Sequence, residues 1–505
     1  MATTEDADAA PDAYTTLLEQ YQRVANVEAA SGLLSWDQQV TMPEGGAPAR
    51  GQQLSTLSGL QHELLTDDAV AEALEELDDA ELTDEQAAVV REIRRQYRRA
   101  DAVPQALVEE ISAKSSEALE MWEQAKAEDD FETFAPILEE LIELKREYAE
   151  HIDPDRDPYA VLFEDYEPYV DLDTAERVLT RLREELVPLI DDIGDSGVEQ
   201  PRPFADGTFP EDDQEALSRD ILDRLGYDWE HGRLDVSSHP FTSGTQYDSR
   251  ITTRFDEDDP LGALTATIHE FGHAFYSLGL PREAYGTPLG EDRDLSVHES
   301  QSRLWENHVG RSEPFWDLVA DDLDAHFEDL DDADPETLYR AANRVYDDNL
   351  IRVEADELTY HMHIVVRFEI ERELISGDLD VADVPEVWND KYEQYLGLRP
   401  ETDAEGCLQD IHWSHGSFGY FPTYSLGSVL AAQLFAAAED DLGDLDEDIR
   451  TGEFDALAEW LREHVHRHGA RYETDELIER ATGEGLTADY FLEYVAGKYG
   501  DLYNC

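Results

Sequence analysis

Two histidines and a glutamate lie within five residues, in the pattern His-Glu-x-x-His. His269 and His273 are four residues apart, so on a helix they share a face and can direct their imidazoles at one ion. Glu270 is rotated by about 100° from the first histidine, which places its carboxylate beside the ion rather than on it. There it can act as general base on a metal-activated water. The spacing predicts a hydrolytic site of the zinc type.

A third ligand is predicted downstream. Residues Leu295 to Asn307 are compatible with a second helix that could supply Glu299. Two histidines and one carboxylate leave the fourth position of a tetrahedral site open, as catalytic zinc requires. His298 could compete for the ion, but adjacent helix positions face different directions. Each residue alone would be an ordinary polar group, so it is the joint pattern that indicates the site.

Amphipathic helices are expected to carry these residues. Apolar residues recur at helical spacing in two stretches, which are Ile137, Leu141, Leu144 and Tyr148, and Val178, Leu182, Leu186 and Leu189. Asp173, followed by Glu176, is typical of an N-cap with its capping partner and predicts the start of the second helix. Mostly helix is expected up to about residue 230.

A β-like stretch interrupts the helices just before the motif. Residues 236–255 alternate around Thr242–Thr245, which predicts a short hairpin. Pro240 cannot donate to a ladder and requires a sheet edge or a bulge. Helices are expected to resume afterwards, broken by the aromatic and glycine-rich run Trp413–Gly427. No repeat or composition shift is visible, so we predict a disordered acidic segment 1–12 and one helical domain over 13–505.

The charge balance restricts the classes of partner. Lys and Arg number 38 against 120 Asp and Glu, a formal net charge of −82. Nucleic acid and anionic membranes are repelled by such a chain. Acids are spread throughout and only five of the basic residues are lysines, which indicates adaptation to molar salt, where the screening length falls to about 3 Å. The alternative is an acidic surface that steers a cationic substrate.

A few features of the sequence bear on the cellular compartment of the protein. The two cysteines, Cys407 and Cys505, do not suggest a disulfide framework, and a reducing interior suits them. The first twelve residues lack the basic and apolar regions of a secretory signal. No run reaches the ~18 apolar residues of a membrane span. A cytoplasmic location is predicted.

Further motifs make the chain resemble the thermostable carboxypeptidase family of the carboxypeptidase Taq type, a group of gluzincin metallocarboxypeptidases. The elements that carry the resemblance lie in order from residue 239 to residue 413. They are His239-Pro-Phe241, Asp248-x-Arg250-x-Thr252, His269-Glu-Phe-Gly-His273, His298-Glu-Ser-Gln301, Ile351-Arg-x-x-Ala-Asp356 and Gly406-x-x-Gln-Asp-x-His-Trp413.

The resemblance implies a mainly α fold, a large helical saddle-like domain with a deep cleft and a small sheet beside the metal helix, similar in outline to neurolysin. It also implies a homodimer, one zinc or cobalt ion per chain, and release of single C-terminal residues with broad specificity from peptides with a free C-terminus.

Roles follow for the remaining motif residues. The oxyanion of the tetrahedral intermediate needs a donor, and His412, Tyr420 and Tyr424 are the candidates. We favour His412 and Tyr420, although sequence does not rank the tyrosines. Asp410 could orient His412 or a ligand histidine.

Substrate recognition is assigned to four residues. Arg352 offers a bidentate fork for the terminal carboxylate, unless it merely pairs with Glu354 or Asp356. His239, with the strand that carries Asp248 and Arg250, could bind the extended peptide, although Arg250 could instead be structural.

Three alternatives are compatible with parts of this pattern. An oligopeptidase on the same scaffold would cut internally. A binding protein with a purely structural metal would have no need of Glu270. A salt-adapted helical protein with a chance motif would lack the ordered set of further elements.

Overall fold

The computed structural model describes residues 11–205, 207–327, 330, 333–346 and 348–505. It is mainly α, as predicted. The first ten residues of the predicted disordered segment lie outside this range, and the first helix begins at Asp12. None of the described helices is both long and apolar enough to cross a membrane.

The helices of the first half are α1 (Asp12–Val40), α2 (Ala47–Leu65), α3 (Asp68–Glu76), α4 (Asp84–Ala102), α5 (Gln105–Glu128), α6 (Phe131–Ile152), α7 (Pro158–Phe163), α8 (Leu172–Ser196) and α9 (Glu211–Leu225). Those of the second half are α10 (Pro260–Gly279), α11 (Leu295–Arg303), α12 (Glu313–His326), α13 (Pro335–Ala342), α14 (Thr359–Ser376), α15 (Val384–Leu396), α16 (Pro422–Leu442), α17 (Asp446–Thr451), α18 (Asp455–His464), α19 (Thr474–Thr482) and α20 (Asp489–Tyr503). The predicted break at Trp413–Gly427 is shorter than expected, because α16 starts inside it.

The chain divides into two compact units. The first holds the described residues up to Ala102, together with Pro210–Arg293 and Phe454–Leu477. The second holds Val103–Phe209, Asp294–Glu453 and Ile478–Cys505. No composition shift in the sequence marks these boundaries.

In the first unit, α1, α3 and α4 share an apolar core. Their contact faces bury Leu17, Tyr21, Val70, Leu74 and Ile93 almost completely. Burial of such side chains contributes about 1.5–3 kcal/mol each relative to exposure. This core holds the long α1 in place within its unit.

The sheet of the first unit differs from the predicted hairpin. Its strands are β1 (Gly232–Val236), β2 (Thr242–Thr245) and β3 (Asp248–Thr253), in the order β1-β3-β2. β1 runs parallel to β3 and β2 runs antiparallel to it. The four residues around which the hairpin was centred therefore form β2 itself, and the chain turns at Gln246 and Tyr247 instead.

The sheet packs on α10 through buried threonines. Thr253 donates to the carbonyl of Ala263 at 3.3 Å, and Thr267 donates to Thr253 at 3.1 Å. These bonds satisfy hydroxyl groups that would be costly to bury alone. They fix the end of β3 against the first turns of α10.

In the second unit, both predicted amphipathic helices form. On α8, Val178, Leu182 and Leu186 are buried, whereas Leu189 at the end of the row is only half-buried. The N-cap prediction was wrong by two residues: the side chain of Asp171 accepts from the backbone N–H of Thr174. Residue 173 lies in the first turn, where an acidic side chain still interacts favourably with the helix dipole.

On α6 the predicted face is likewise buried in part. Ile137 and Leu141 are buried, together with Leu138 and Ile142 beside them. Leu144 and Tyr148 are half-buried. The face that packs is therefore wider than the single row of the prediction.

Candidate metal centre

The His-Glu-x-x-His residues lie in the middle of α10. Asp259 caps this helix by accepting from the N–H of Gly262 at 3.0 Å, and Pro260 occupies its first turn. Both features are typical of a helix start. His269 and His273 lie one turn apart, and their Nε2 atoms are 3.2 Å from each other. The two imidazoles thus converge on one point, as the spacing predicted.

Glu270 lies on the same helix with only 6% of its surface exposed. The hydroxyl of Thr242 donates to Glu270 Oε2 at 2.8 Å and to its backbone carbonyl at 2.9 Å. The edge strand β2 therefore holds the glutamate side chain in one orientation. Sequence reasoning missed Thr242, although it follows the His-Pro-Phe motif directly.

Glu299 lies on α11 in the second unit and is 8% exposed. Arg303, one turn later, donates from Nε to Glu299 Oε1 at 2.7 Å. A Cβ atom at Gly427 on α16 would lie 2.5 Å from both Cβ and Cγ of Glu299. Only glycine allows α16 to pass so close to this side chain. The i, i+4 spacing of Glu299 and Arg303 could have indicated their contact from the sequence.

Among the described residues, one group has the donor types and closeness that a metal ion needs. His269, His273 and Glu299 each offer a ligand atom, and these atoms all lie within 4.8 Å of one another. Tetrahedral zinc with bonds of about 2.0–2.1 Å would hold two nitrogens about 3.3 Å apart, close to the 3.2 Å between the imidazoles. The donor set fits a catalytic zinc-type ion.

Arg352 forms part of a buried charge cluster. Its Nε and Nη2 donate to Asp410 Oδ1 at 3.0 and 2.8 Å, and Nη1 donates to the hydroxyl of Tyr360 at 3.2 Å. Arg367 donates to the other oxygen, Asp410 Oδ2, at 2.6 Å. Burial disfavours the charged carboxylate, but the two guanidiniums hold the pKa of Asp410 well below its usual range. The partner of Arg352 is thus neither of the two nearby acids considered from the sequence.

His412 begins a short 3-10 turn, His412–His415. Its Nδ1 is 3.9 Å from Asp410 Oδ1, too long for a hydrogen bond. Burial lowers the pKa of His412 to about 4, and the effect of Arg352 and Arg367 in the same direction is opposed by Asp410. The imidazole is therefore neutral at pH 7, so it can offer an N–H but not the charge of an imidazolium.

Tyr420 and Tyr424 lie side by side, with ring centroids 5.3 Å apart. Burial raises the pKa of Tyr420, and a hydrogen bond with Tyr424 lowers it. The negative charge of Glu299 raises the pKa of both phenols. Both hydroxyls thus lie within electrostatic reach of the proposed carboxylate ligand.

Glu371 on α14 anchors the loop between His412 and Tyr420. Its carboxylate accepts from Trp413 Nε1 at 2.9 Å, from the N–H of Gly419 at 3.0 Å and from the hydroxyl of Tyr159 at 3.0 Å. These contacts hold the loop near both of its ends. No pattern in the sequence indicates a role for this residue, which is 42 positions from Trp413.

The predicted peptide-binding residues of the first unit lie on or near the sheet. His239 is exposed before β2. Arg250 makes a forked pair with Asp248, at 2.9 and 2.7 Å, and its guanidinium lies 4.3 Å from the ring centre of Trp36. The pair is intrinsic to β3, which favours the structural alternative for Arg250.

Comparisons with known proteins agree with this arrangement. The family model of the carboxypeptidase Taq (M32) metallopeptidases matches residues 16–499. Thermostable carboxypeptidase 1 of Thermus thermophilus is 40% identical over 505 residues, covering 97% of this chain and 99% of the relative.

Solved structures give the same result. The M32 carboxypeptidase of Deinococcus radiodurans superposes with a TM-score of 0.95 at 40% identity, covering 98% of this chain and 100% of that one. A structure described as Pyrococcus furiosus carboxypeptidase Apo-Mg gives a TM-score of 0.95 at 38% identity, covering 97% and 99%.

Proposed function

The chain belongs to the carboxypeptidase Taq (M32) family of metallopeptidases, and we propose that it uses Glu270 as general base to release single C-terminal residues with broad specificity. Family membership makes it a metal-dependent carboxypeptidase of peptides, with a divalent ion, zinc or cobalt, as cofactor. The observation that carries the proposal is the convergence of two imidazoles and one carboxylate beside a buried glutamate.

We assign the ion to His269, His273 and Glu299. When bound, such an ion polarises the scissile carbonyl and makes water a better nucleophile at neutral pH. The donor set suits this role because two nitrogens and one oxygen leave a position for the reacting groups.

Glu270 takes a proton from the attacking water and then delivers one to the leaving amine. Its support is the hydrogen bond from Thr242, which aims the carboxylate and keeps it from rotating. Because the threonine is a neutral donor, it orients the base without replacing its charge.

Oxyanion stabilisation is assigned to Tyr420, with His412 as a second donor and Tyr424 as support. The phenol of Tyr420 is hydrogen-bonded to that of Tyr424, and the two rings pack edge to face with centroids 5.3 Å apart. A phenol held in this way can donate to charge that develops only in the transition state. His412 contributes as a neutral imidazole.

Recognition of the terminal carboxylate is assigned to Arg352. Its guanidinium is buried and held by Asp410, so it is preorganised rather than flexible. A planar fork binds a carboxylate better than a lysine ammonium does. His239 and Asp248 are proposed to line the path of the extended peptide, and Arg250, which is paired with Asp248 on β3, is proposed to hold this strand in shape.

A pair of peptides that differ only at the C-terminus tests the proposal. The free acid should lose residues one at a time by mass spectrometry in molar salt, and the amide should resist. Glu270→Gln should retain its metal and lose turnover, while Glu283→Gln, an exposed glutamate of the same unit, should behave as wild type. Internal cleavage of both peptides at equal rates would contradict exopeptidase action, and an active Glu270→Gln enzyme would contradict the mechanism.

We also propose a homodimer in the cytoplasm of a salt-adapted cell. The unpaired Cys407 and Cys505 suit a reducing compartment, and the net charge suits high salt. Light scattering in molar salt should give twice the 57.2 kDa of one chain; a mass of one chain would contradict the dimer.

A further inference from the structure

A row of alternating charges follows the proposed ligand Glu299 along its own helix. Arg303 contacts Glu299 Oε1 through Nε at 2.7 Å and Glu306 Oε2 through Nη1 at 3.1 Å. Arg311 then donates from Nη2 to Glu306 Oε1 at 3.2 Å and from Nη1 to the carbonyl of Ala342 at 2.6 Å. The row thus connects the carboxylate to a fixed backbone group on α13.

The far end of the row depends on a change in helix type. Residues Leu304–Gly310 form a π-helix directly after α11. In an α-helix, residues five apart are rotated by about 140° from each other. The i→i+5 geometry of a π-helix brings such residues onto one face. Glu306 and Arg311 are five apart, so the π-helix is what allows their contact.

The side chain of Arg303 is fixed by its two ion pairs and by an aromatic ring. Its guanidinium lies 4.8 Å from the ring centre of Tyr360, and the side chain is only 16% exposed. The side chains of Glu299 and Glu306 are 10% and 7% exposed. Because these charges are buried together, each fixes the position of the next.

We propose that Arg303 is a positioning residue that orients Glu299 toward the metal ion, and that Glu306 and Arg311 orient Arg303 in turn. Groups that hydrogen-bond a metal-ligating carboxylate commonly change metal affinity by about 10- to 100-fold. The inference rests on the proposed role of Glu299 as a ligand.

Charge and geometry make opposite predictions for Arg303. A cation next to the ligand repels a divalent ion, so its removal would strengthen metal binding if charge were its only effect. If Arg303 acts by orientation, its removal weakens metal binding. Arg303→Lys separates the two effects, because lysine keeps the charge but not the planar fork.

The test measures the dissociation constant of Zn²⁺ for the metal-free full-length protein by chelator competition in molar salt. We expect Arg303→Lys and Arg303→Met each to weaken binding by about 10-fold or more. Arg183→Lys is the matched control, because Arg183 also joins a glutamate, Glu369, and an aromatic ring in the second unit. It should bind Zn²⁺ as wild type does.

Glu299→Gln separates a failure of this inference from a failure of the ligand assignment. It should weaken Zn²⁺ binding strongly; if it does not, the ligand assignment fails and this inference fails with it. Unchanged or tighter binding in the Arg303 variants, with weak binding in Glu299→Gln, overturns this inference alone.

Glu306→Gln tests the row without replacing Arg303, in case the Arg303 variants fail to fold. It removes one charge from the row but keeps the shape of the side chain. It should fold, as judged by circular dichroism, and weaken Zn²⁺ binding by about 3-fold or more, less than the Arg303 variants do. Wild-type affinity in this variant would overturn the role of the row.

Discussion

Replacing Gly427 with alanine should disturb Glu299 without touching any charge. The new Cβ would lie 2.5 Å from Cβ and Cγ of Glu299 and 3.2 Å from its carbonyl carbon. Ordinary contacts begin at 3.4 Å, so α16 and α11 would have to separate by about 0.9 Å, the difference between 3.4 and 2.5 Å. Cβ of Glu299 is fixed by its backbone, so no rotation of the side chain can relieve this contact.

The cost can be estimated from two opposing effects. Overpacking of a tight interior costs about 1–3 kcal/mol, and the upper end applies where backbone must shift. Alanine gains about 1 kcal/mol over glycine inside a helix. We therefore expect Gly427→Ala to lower the free energy of unfolding by about 2 kcal/mol. Because the displaced residue is a proposed ligand, Zn²⁺ affinity should fall as well.

Gly497 on α20 provides the matched control. It also lies within a helix of the second unit, and a Cβ there would meet nothing within 4 Å. Gly497→Ala should stabilise the protein by about 1 kcal/mol, which places the two variants about 3 kcal/mol apart. Urea unfolding of the metal-free proteins and chelator competition measure the two effects. Equal stability of both variants, with unchanged Zn²⁺ affinity, would refute the reasoning.

Three further predictions concern the base, acid stability and salt. Thr242→Val should lower kcat by about 10- to 100-fold with little change in KM, because one charge-assisted hydrogen bond of about 1.5–3 kcal/mol to Glu270 is lost, and Thr242→Ser should retain activity; equal rates in both would contradict the role. Burial lowers the pKa of His361 to about 3, so the unfolded state binds the proton first and stability should fall as pH drops from about 6.5. His361→Gln should remove up to about 1.4 kcal/mol per pH unit of that slope, and an unchanged slope in urea unfolding would contradict it. Self-repulsion at a net charge of −82 should lower the melting temperature when salt falls from molar to about 10 mM, whereas a flat salt dependence would contradict salt adaptation.

Features set by spacing within one helix were predictable from the sequence. The convergence of His269 and His273 needs only four residues of separation on a helix, and the placement of Glu270 follows from the next position. Such patterns need no knowledge of the tertiary fold. The arrangement of these three side chains on α10 could therefore be predicted before the fold around the helix was known.

The sheet beside α10 shows why the neighbouring strands could not be predicted in the same way. Gly244 looked like a turn residue, but it lies in β2. A Cβ there would meet the carbonyl oxygen of Asp248 at 2.1 Å and Cα of Ser249 at 2.4 Å. The glycine therefore serves a close approach of two strands, and glycine at a turn and glycine at a close approach have the same signature in sequence.

The ion-pair partner of Arg352 could not be predicted because it lies far away in the sequence. Asp356, four residues on, was a natural choice, but its oxygens accept from the backbone N–H groups of Tyr346, Leu358 and Thr359. It is thus committed to shaping the start of α14. Arg352 instead pairs with an acid 58 residues away, a contact that only the tertiary fold creates.

That pairing has an electrostatic consequence for substrate binding. Arg352 and Arg367 share the carboxylate of Asp410. Arg367 has a second acid nearby, because burial raises the pKa of Glu371 to about 7 and the charge of Arg367 is among the effects that lower it. The guanidinium of Arg352 is buried beside Asp410 and Tyr360, where an incoming carboxylate would be attracted more strongly than in water. This favours the assignment of Arg352 to the substrate terminus.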